Sequence, residues 1–285
     1  LNQPLPIYGR INPLVAKSTG EVIGMLEDTG LRAEDLPMYG RHMIRIDAPA
    51  HLIVRNPCFL SGGFTIQDIS AQIVARFVGA RPNMTVVDFC SAPGGKTCAI
   101  AADMKLEGRL IGCDTSAKRM GRLEENVLRL GTAEFVEMLH LDDDEITIEE
   151  WVGPDGADRV LVDAPCSGLG TIRRHPEIRW RRSGSDLRRL PELQLEILER
   201  AAELVAPGGC VVYGTCSFAP EENEQVVERF LERQDGKFVI VPAKEGNAPD
   251  SVYPGELSED GWLRFPPHSV ECDSATAVRL RRLRR

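Results

Sequence analysis

The sequence has no long apolar run, no leader segment and no closely spaced cysteine pair. No stretch approaches the roughly 20 apolar residues that a membrane-spanning helix needs, which argues against a membrane location. The chain begins at Leu1 without a charged and then apolar leader, so no signal peptide is visible. The absence of an initiator Met indicates a chain cut from a longer product. We expect a cytoplasmic protein.

The eight cysteines include no Cys-x-x-Cys pair, and none has a histidine at ligand spacing. This pattern argues against a zinc site or a disulfide framework, and no metal is expected. Several of the cysteines lie in apolar, strand-like segments, where a reduced thiol is a small buried hydrophobic group. Most of them are therefore predicted to be core residues.

The net charge of −9 argues against a general polyanion-binding protein. Basic residues are nevertheless concentrated in two segments: Arg173, Arg174, Arg179, Arg181, Arg182, Arg188 and Arg189, and then Arg279 to Arg285. A local basic surface beside a site can hold phosphates even in an acidic protein. On charge alone, a solvated loop and a charged tail explain these segments equally well.

Strand-like and helix-like segments alternate from Thr85 onward, and this pattern predicts the architecture. The predicted strands are Thr85 to Phe89, Arg109 to Cys113, Phe135 to Leu141, Arg159 to Val162 and Gly209 to Tyr213, with Lys237 to Val241 and Ala275 to Leu283 closing the sheet. The predicted helices are Lys96 to Met104, Ser116 to Leu130, Asp186 to Leu204 and Glu221 to Leu231. The alternation indicates an α/β domain, a mostly parallel sheet with helices on both faces. Such sheets bind ligands at the carboxyl ends of their strands.

The first 60 residues have a different pattern. A helix-like segment, Thr19 to Thr29, lies among short apolar runs, which indicates a small α+β subdomain over residues 1–60. Ser61-Gly62-Gly63 is predicted to be the junction, and residues 61–285 are predicted to form the main domain. One chain of this size is expected to be a monomer.

A glycine-rich turn follows the first predicted strand of the main domain. Gly94 and Gly95 permit close backbone approach, and the helix that follows favours an anion or polar ligand at its N-terminus. The segment nearly completes a phosphate-binding Walker loop. That motif needs glycine where Cys90 stands, however, and Pro93 removes an N–H donor, which disfavours an NTPase. Asp114, at the end of the next strand, is placed to accept hydrogen bonds from a ribose.

Cys166 and Cys216 each follow a predicted strand. A thiol at a strand end near basic groups can form the reactive thiolate, although a single cysteine is more often an inert core residue. Here Cys166 follows Pro165, and small polar residues flank Cys216, a setting that apolar packing does not favour. Two such thiols beside a nucleotide-type turn predict chemistry on a substrate next to a bound cofactor. This interpretation requires both sulfur atoms to face one pocket.

Several motifs resemble those of the Sun-type RNA cytosine-5 methyltransferases, most closely the bacterial ribosomal-RNA branch. The motifs are Asp88-Phe89-Cys90-Ser91-Ala92-Pro93-Gly94-Gly95-Lys96-Thr97, Asp163-Ala164-Pro165-Cys166-Ser167-Gly168 and Tyr213-Gly214-Thr215-Cys216-Ser217. Shorter matches are Gly63-Phe64, Gln67-Asp68, Arg129-Leu130-Gly131, Arg173-Arg174-His175-Pro176-Glu177 and Pro220-Glu221-Glu222-Asn223. The resemblance implies a Rossmann-like, S-adenosylmethionine-dependent methyltransferase domain that methylates carbon-5 of a cytosine in RNA.

The resemblance also implies roles for individual residues. Cys216 would be the attacking thiol, Cys166 would assist breakdown of the adduct, and Asp163 would bind the base, with a place near the cofactor as its alternative. The implied cofactor-binding residues are Cys90, Ser91, Ala92, Pro93, Gly94, Gly95, Lys96, Asp114, Asp142 and Asp163. Of these, Asp142 would meet the adenine amino group, and Asp143 and Asp144 compete with it for this role. The implied RNA-binding residues are Arg173, Arg174, Arg179, Arg181 and Arg182, with the N-terminal subdomain as a further contact.

Other functions stay open on the sequence. The RNA is expected to be ribosomal, with transfer RNA as the alternative. A catalytically silent assembly factor with the same fold is a second hypothesis, and a DNA cytosine methyltransferase is a third, which the second cysteine disfavours. The segment from Cys272 to Val278 stands where relatives carry Asp-Gly-Phe-Phe, so an aromatic contact near the cofactor is expected to be missing. No helical RNA-binding domain precedes Leu1 in this sequence.

Overall fold

The computed structural model describes residues 5–141, 147–242, 257–267 and 271–284. Its first part is a four-stranded antiparallel sheet with the strand order β2-β3-β1-β4. The elements of this part are β1 (Ile7–Ile11), α1 (Thr19–Glu27), β2 (Arg32–Asp35), β3 (Met43–Asp47), α2 (Ala50–Ile53), α3 (Pro57–Leu60) and β4 (Phe64–Ile66).

Both faces of this small sheet are covered. On one face, Ile11 and Ile44 pack with Val22 and Leu26 of α1 in a separate core. On the other face, Tyr8 lies in the same core as residues of the main domain. Strand side chains alternate between faces, so one strand can serve both cores. The N-terminal sheet is therefore packed directly on the main domain.

The boundary of the N-terminal unit differs from the predicted one. β4 (Phe64–Ile66) pairs with β1, so the four-stranded sheet continues past the junction predicted at Ser61-Gly62-Gly63. Gly62 has a φ of +80°, and a Cβ there would collide with the backbone carbonyl of Arg129. Asn12 donates hydrogen bonds to the carbonyls of Gly62 and Leu130. Gly62 therefore serves a close contact between the two units, within the segment that the sequence predicted to be their junction.

The main domain is an eight-stranded sheet. Its strand order is β10-β12-β9-β8-β5-β6-β7, with β11 paired to β12. Its elements are α4 (Ile69–Phe77), β5 (Met84–Asp88), α5 (Gly95–Asp103), β6 (Gly108–Asp114), α6 (Ala117–Arg129), β7 (Val136–His140), α7 (Ile148–Val152), β8 (Ala157–Asp163), α8 (Ile178–Arg181), α9 (Asp186–Glu203), β9 (Val205–Thr215), α10 (Glu224–Arg233), β10 (Phe238–Ile240), β11 (Trp262–Phe265) and β12 (Ala275–Arg282).

The five strands from β5 to β9 are parallel, whereas β12 is antiparallel to β9 and β10. Their side chains form two cores, one on each face of the sheet. In β5, for example, Val87 lies in one core and Val86 in the other. Strands buried on both faces are typical of parallel sheets covered by helices. The predicted α/β architecture is confirmed.

The strand order reverses at β5, which lies between β6 and β8. In open α/β sheets, ligands bind beyond the carboxyl ends of the strands at such a point. The glycine turn follows β5, Asp114 ends β6, and the two cysteines follow β8 and β9. All four features therefore share one edge of the sheet. Among the described helices, none is both long and apolar enough to cross a membrane.

Candidate active site

Two cysteines meet above the ends of neighbouring strands. Cys216 directly follows β9, and Cys166 lies three residues after β8. Because β8 and β9 are parallel, with Asp163 opposite Gly214, both loops begin at the same edge. The Sγ atoms of the two free cysteines lie 3.1 Å apart. The fold thus brings together two thiols that are 50 residues apart in the chain.

The two thiols are not equivalent. The hydrogen bond from Cys166 lowers the pKa of Cys216 below its ordinary value against the effects of burial and of the Asp163 charge, and the charge of Lys96 adds a smaller lowering effect. That same hydrogen bond, together with burial, raises the pKa of Cys166 well above its ordinary value. The pair therefore favours a thiolate on Cys216 and a protonated thiol on Cys166. The thiolate is the nucleophilic form of cysteine.

An ion pair lies beside the cysteines. Lys96, in the first turn of α5, contacts Asp163, the last residue of β8, with 2.6 Å between Nζ and Oδ2. Burial works to lower the pKa of Lys96, but the Asp163 carboxylate outweighs this effect and the pKa is raised. Lys96 therefore stays a cation close to Cys216. The sequence-based interpretation placed Lys96 with the cofactor only.

A cavity of about 90 Å³ opens onto Cys216, and its lining also includes Lys96, Asp163, Asp68, Thr171 and Asp273. Cys166 is not among the described residues that line it, so of the two sulfur atoms predicted to face one pocket, only that of Cys216 does so. Ala275 also lines it, at the start of β12, within the segment that departs from the Asp-Gly-Phe-Phe pattern. The small side chain of Ala275 therefore lies beside the cavity at Cys216. The sequence predicted instead that the altered segment would remove an aromatic contact near the cofactor.

Arg174 is held inside the protein by two carboxylates. Its guanidinium contacts Asp68 at 2.6 Å and Asp273 at 2.9 Å. Burial and the nearby charge of Asp68 raise the pKa of Asp273 to about 6. This three-residue cluster joins the start of α4, the arginine-rich segment and the approach to β12. Arg174 was predicted to bind RNA, but its charge is engaged in this internal cluster.

The other predicted RNA-binding arginines divide into two groups. Arg173 donates a hydrogen bond to the carbonyl of Cys272, and Arg182 donates one to the carbonyl of Ser167. These contacts attach the segment to the loops around the cavity. Arg179 and Arg181 are exposed on α8, on either side of Trp180, which is 79% exposed. Trp180 is not among the residues predicted to bind RNA, although its position between two arginines is visible in the sequence.

The glycine turn brings the chain close to α6. Gly94 has a φ of +99°, and a Cβ there would lie 2.7 Å from the Cδ1 of Leu123. The carbonyl of Pro93 accepts a hydrogen bond from Asn126. Cys90, at the start of the turn, is packed against the core of the sheet, and burial raises the pKa of its thiol. Cys90 therefore contributes to the turn through its backbone and its packing.

Three buried side-chain oxygens around this turn are unsatisfied. Within the described part of the chain, the Oδ1 of Asp88, the Oγ of Ser91 and the Oδ2 of Asp114 have no hydrogen-bond partner. The other carboxylate oxygen of Asp114 accepts from the backbone N–H of Ser116 and from Arg119. Buried polar atoms normally have partners, so unsatisfied ones around a glycine turn indicate a polar ligand. Asp142 lies outside the described residues.

A network that the sequence analysis did not assign surrounds the cysteine loops. The carboxylate of Glu222, which is fully buried, accepts hydrogen bonds from Ser167 and from Gln194. Asn223 accepts one from Thr215 and donates to the carbonyl of Ser217. In the sequence, Pro220-Glu221-Glu222-Asn223 is only a match to the family motifs and has no predicted structural role. The sequence shows which residues are polar but not which are buried.

These features define a class of protein. The domain is an open sheet with this strand order and one antiparallel strand. A glycine turn follows its first parallel strand, and an acidic residue follows the next. This combination defines a Rossmann-like methyltransferase domain. S-adenosylmethionine is the cofactor of this class. A solved structure described as a methyltransferase homolog protein from Pyrococcus horikoshii is 27% identical, with a TM-score of 0.76 over 99% of this chain and 88% of its own.

The family follows from sequence comparison. The model of the family described as 16S rRNA methyltransferase RsmB/F matches residues 76–280, and this chain belongs to that family. Ribosomal RNA small subunit methyltransferase B of Salmonella paratyphi B is 38% identical over 262 residues. That alignment covers 92% of this chain but 59% of the Salmonella protein, so the chain spans about three fifths of the relative's length. A crystal structure of NSun6 from Pyrococcus horikoshii with SFG shares the fold, with a TM-score of 0.84 at 20% identity and coverage of 100% of this chain and 92% of that one.

Proposed function

We propose that this protein transfers a methyl group from S-adenosylmethionine to carbon-5 of a cytosine in RNA. The observation that carries the proposal is the cysteine pair: two sulfur atoms 3.1 Å apart, with the nucleophilic form favoured on Cys216. Ribosomal RNA of the small subunit is the proposed substrate, because the curated relatives are named for it. One thiol would suffice as a nucleophile, so the second thiol at this distance supports a further role in the reaction.

The residues around the glycine turn fit the cofactor. Unsatisfied oxygens of Asp88 and Ser91 would face its charged amino-acid end, and the free Oδ2 of Asp114 would accept from its ribose hydroxyls. Gly94 lets this turn pack closely on α6, since a side chain there would meet Leu123. S-adenosylmethionine, when bound, supplies an electrophilic methyl group. The acid predicted to meet the adenine, Asp142, stays a prediction.

Carbon-5 of cytosine is a poor nucleophile until the ring is activated. In the proposed mechanism the Cys216 thiolate attacks carbon-6, and the electron pair of the carbon-5–carbon-6 double bond shifts into the ring. Ring nitrogen-3 takes up a proton from water, and carbon-5 becomes the carbon of an enamine that can accept the methyl group. Asp163, held by Lys96 at 2.6 Å, is placed to accept hydrogen bonds from nitrogen-3 and the amino group.

The second cysteine acts when the adduct breaks down. After methylation, carbon-5 carries both a methyl group and a proton. Water takes that proton, the electron pair of its carbon–hydrogen bond restores the carbon-5–carbon-6 double bond, and the carbon-6–sulfur bond breaks to release Cys216 as a thiolate. Nitrogen-3 returns its own proton to water. Cys166 lies within hydrogen-bond distance of the departing sulfur and assists this step. The same contact that activates the nucleophile therefore stabilises it again as a leaving group.

The RNA must present an unstacked base, because a cavity of about 90 Å³ beside Cys216 cannot admit a duplex. Exposed Arg179 and Arg181 would contact phosphates, and Trp180 between them offers a flat surface on which a base can stack. Arg173, Arg174 and Arg182 instead hold the segment in place through internal hydrogen bonds. The N-terminal sheet is a further proposed contact.

Two cysteine variants test the proposal. Cys216→Ala is expected to abolish transfer of labelled methyl groups to small-subunit ribosomal RNA. Cys166→Ala is expected to accumulate a covalent protein–RNA complex, seen as a band that survives denaturing electrophoresis. Cys210→Ala, in β9 but away from the cavity, is the matched control and should retain transfer. Full turnover by both site variants would refute the assignment.

The substrate class has its own measurement. Bisulfite sequencing of ribosomal and transfer RNA after incubation with the protein reads the modified cytosine directly. Methylation confined to transfer RNA would replace the proposed substrate but keep the chemistry. Binding of S-adenosylmethionine and RNA without any methylation would instead support the silent assembly factor.

A further inference from the structure

A buried glutamate lies next to the cysteine pair without lining its cavity. Glu222 is 0% exposed and is not among the described residues that line the cavity beside Cys216. Its Oε1 accepts hydrogen bonds from the backbone N–H of Ser167 at 2.7 Å and from Gln194 at 3.0 Å. Its Oε2 accepts from the hydroxyl of Ser167 at 2.5 Å. A carboxylate buried this completely is costly unless donors surround it, and these three provide that.

The backbone of Glu222 belongs to the Cys216 side of the site. Its carbonyl accepts a hydrogen bond of 2.6 Å from the hydroxyl of Tyr213, three residues before Cys216. The adjacent Asn223 accepts from Thr215 at 2.7 Å and donates to the carbonyl of Ser217 at 3.1 Å. The residues on both sides of Cys216 are thus bonded to the segment that carries Glu222.

The carboxylate of Glu222 reaches the Cys166 side. Ser167, which it holds by two hydrogen bonds, is the residue after Cys166. Gln194, which donates to Glu222, also donates to the carbonyl of Pro165, the residue before Cys166. The backbone on each side of Cys166 is therefore attached, directly or through Gln194, to one carboxylate.

We propose that Glu222 is a positioning residue that holds the Cys166 and Cys216 loops at hydrogen-bond distance and so determines which thiol is ionised. Its place in the reaction rests on the proposed function, but its effect on the thiols does not. A glutamine removes the charge and one acceptor: if its oxygen keeps the two bonds made by Oε1, its NH₂ group takes the place of Oε2, and the Ser167 hydroxyl must accept where it now donates. The charge-assisted bond to the Ser167 hydroxyl is then replaced by a weaker neutral one, which loosens the loop that follows Cys166.

Other charged or titratable groups also face the pair. Asp163 and Lys96 approach Cys216 from the cavity, and Tyr213 and Glu222 approach Cys166 from the interior. The hydrogen bond with Cys216 and burial are the main causes that raise the pKa of Cys166, and the charge of Glu222 raises it further. Glu222 therefore works in two ways toward one result: it fixes the donor in place and keeps it protonated.

The test measures thiol ionisation without RNA or cofactor. Iodoacetamide reacts with thiolates, so the rate of Cys216 alkylation against pH, read by mass spectrometry of its peptide, follows its ionisation. In Glu222→Gln, the weakened hydrogen bond from Cys166 should lower the alkylation rate of Cys216 at pH 7 by roughly tenfold. Glu221→Gln, its half-buried neighbour with the same charge change, is the matched control and should leave the profile unchanged.

The direction of the change separates the explanations. If Glu222 acted only as a negative charge, its removal would lower the pKa of Cys216 and speed alkylation, which would overturn the proposal. If Glu222 contributed only to stability, Glu222→Gln would lower the melting temperature and leave the alkylation rate of Cys216 against pH unchanged in the folded protein. That result would also overturn the proposal. The proposal also requires that Glu222→Gln have almost no effect on Cys216 when Cys166 is already alanine; a full tenfold effect there would refute it.

A milder variant covers the case in which Glu222→Gln does not fold. Ser167→Ala removes one hydrogen bond to Glu222 and keeps the backbone N–H, so a smaller change in the same direction is expected. An unchanged profile in Ser167→Ala, together with an unfolded Glu222→Gln, would overturn the proposal. Failure of methyl transfer in the wild type would refute the proposed function and leave these alkylation results intact.

Discussion

Asp88 gives a prediction in which a loss of charge strengthens the fold. It ends β5 at 1% exposure, and burial raises its pKa from 3.8 to about 7 against the hydrogen bond from Thr97. Its ionised form is therefore costly in the folded protein. By linkage, the rise corresponds to about 4 kcal/mol, at 1.36 kcal/mol for each tenfold change in proton affinity.

The sign of the pH dependence follows from the raised pKa. The stability that protonated Asp88 contributes is complete below pH 3.8 and is lost as the pH rises toward 7. Asp88→Asn cannot ionise and keeps an acceptor for the hydroxyl of Thr97. Its free energy of unfolding relative to wild type should therefore grow by about 4 kcal/mol between pH 4 and pH 8.

Urea denaturation of both proteins at a series of pH values measures this difference. Asp35→Asn, an exposed aspartate in β2, is the control and should show little change. A difference between Asp88→Asn and wild type that stays constant from pH 4 to pH 8 would refute the reasoning. The same variant should bind S-adenosylmethionine more weakly, because the unsatisfied oxygen is proposed to face the cofactor. Weaker binding by Asp88→Asn would mean that the Asp88 carboxylate destabilises the folded protein but is needed to bind the cofactor.

Two further predictions concern other buried charges. Asp114→Asn should weaken binding of S-adenosylmethionine about tenfold or more by calorimetry, since an amide is a poorer acceptor for ribose hydroxyls, and an unchanged Kd would exclude Asp114 from the site. Arg174→Met should lower the free energy of unfolding by about 3 kcal/mol, because Asp68 and Asp273 lose their shared cation. The exposed Arg181→Met should be nearly neutral for stability and weaken RNA binding instead; equal melting temperatures for these two variants would contradict the internal role of Arg174.

Most of the parallel sheet could be predicted from the sequence because its periodicity is local. The strand predicted at Arg109 to Cys113 is observed as β6, Gly108–Asp114, and the other predicted strands of the sheet are likewise present. The helix predicted from Glu221 begins at Glu224 instead. Asn223 has the non-helical values φ −123° and ψ −91°, because its side chain and that of Glu222 bind the cysteine loops. Helical periodicity cannot register such a competing use of polar side chains.

The site was predictable in its residues but not in its contacts. Strand ends and glycines are local signals, and they led to Cys166, Cys216, Asp163 and Asp114. The internal role of Arg174 was not visible, because its partners Asp68 and Asp273 lie about 100 residues away on either side. Charge identifies an arginine, whereas only the fold decides whether its partner is a carboxylate or a phosphate.

The position of β12 has a consequence for how the protein is made. This last strand lies between β9 and β10, and its first residues reach the cysteine loop, where Thr276 donates to the carbonyl of Ser217. During synthesis, β9 therefore keeps an open edge until residues 275–282 have left the ribosome. An open edge invites pairing with other chains, so the nascent protein depends on β12 for protection against aggregation. The cavity beside Cys216 is complete only after β12, which supplies Ala275 to its lining, has paired with β9.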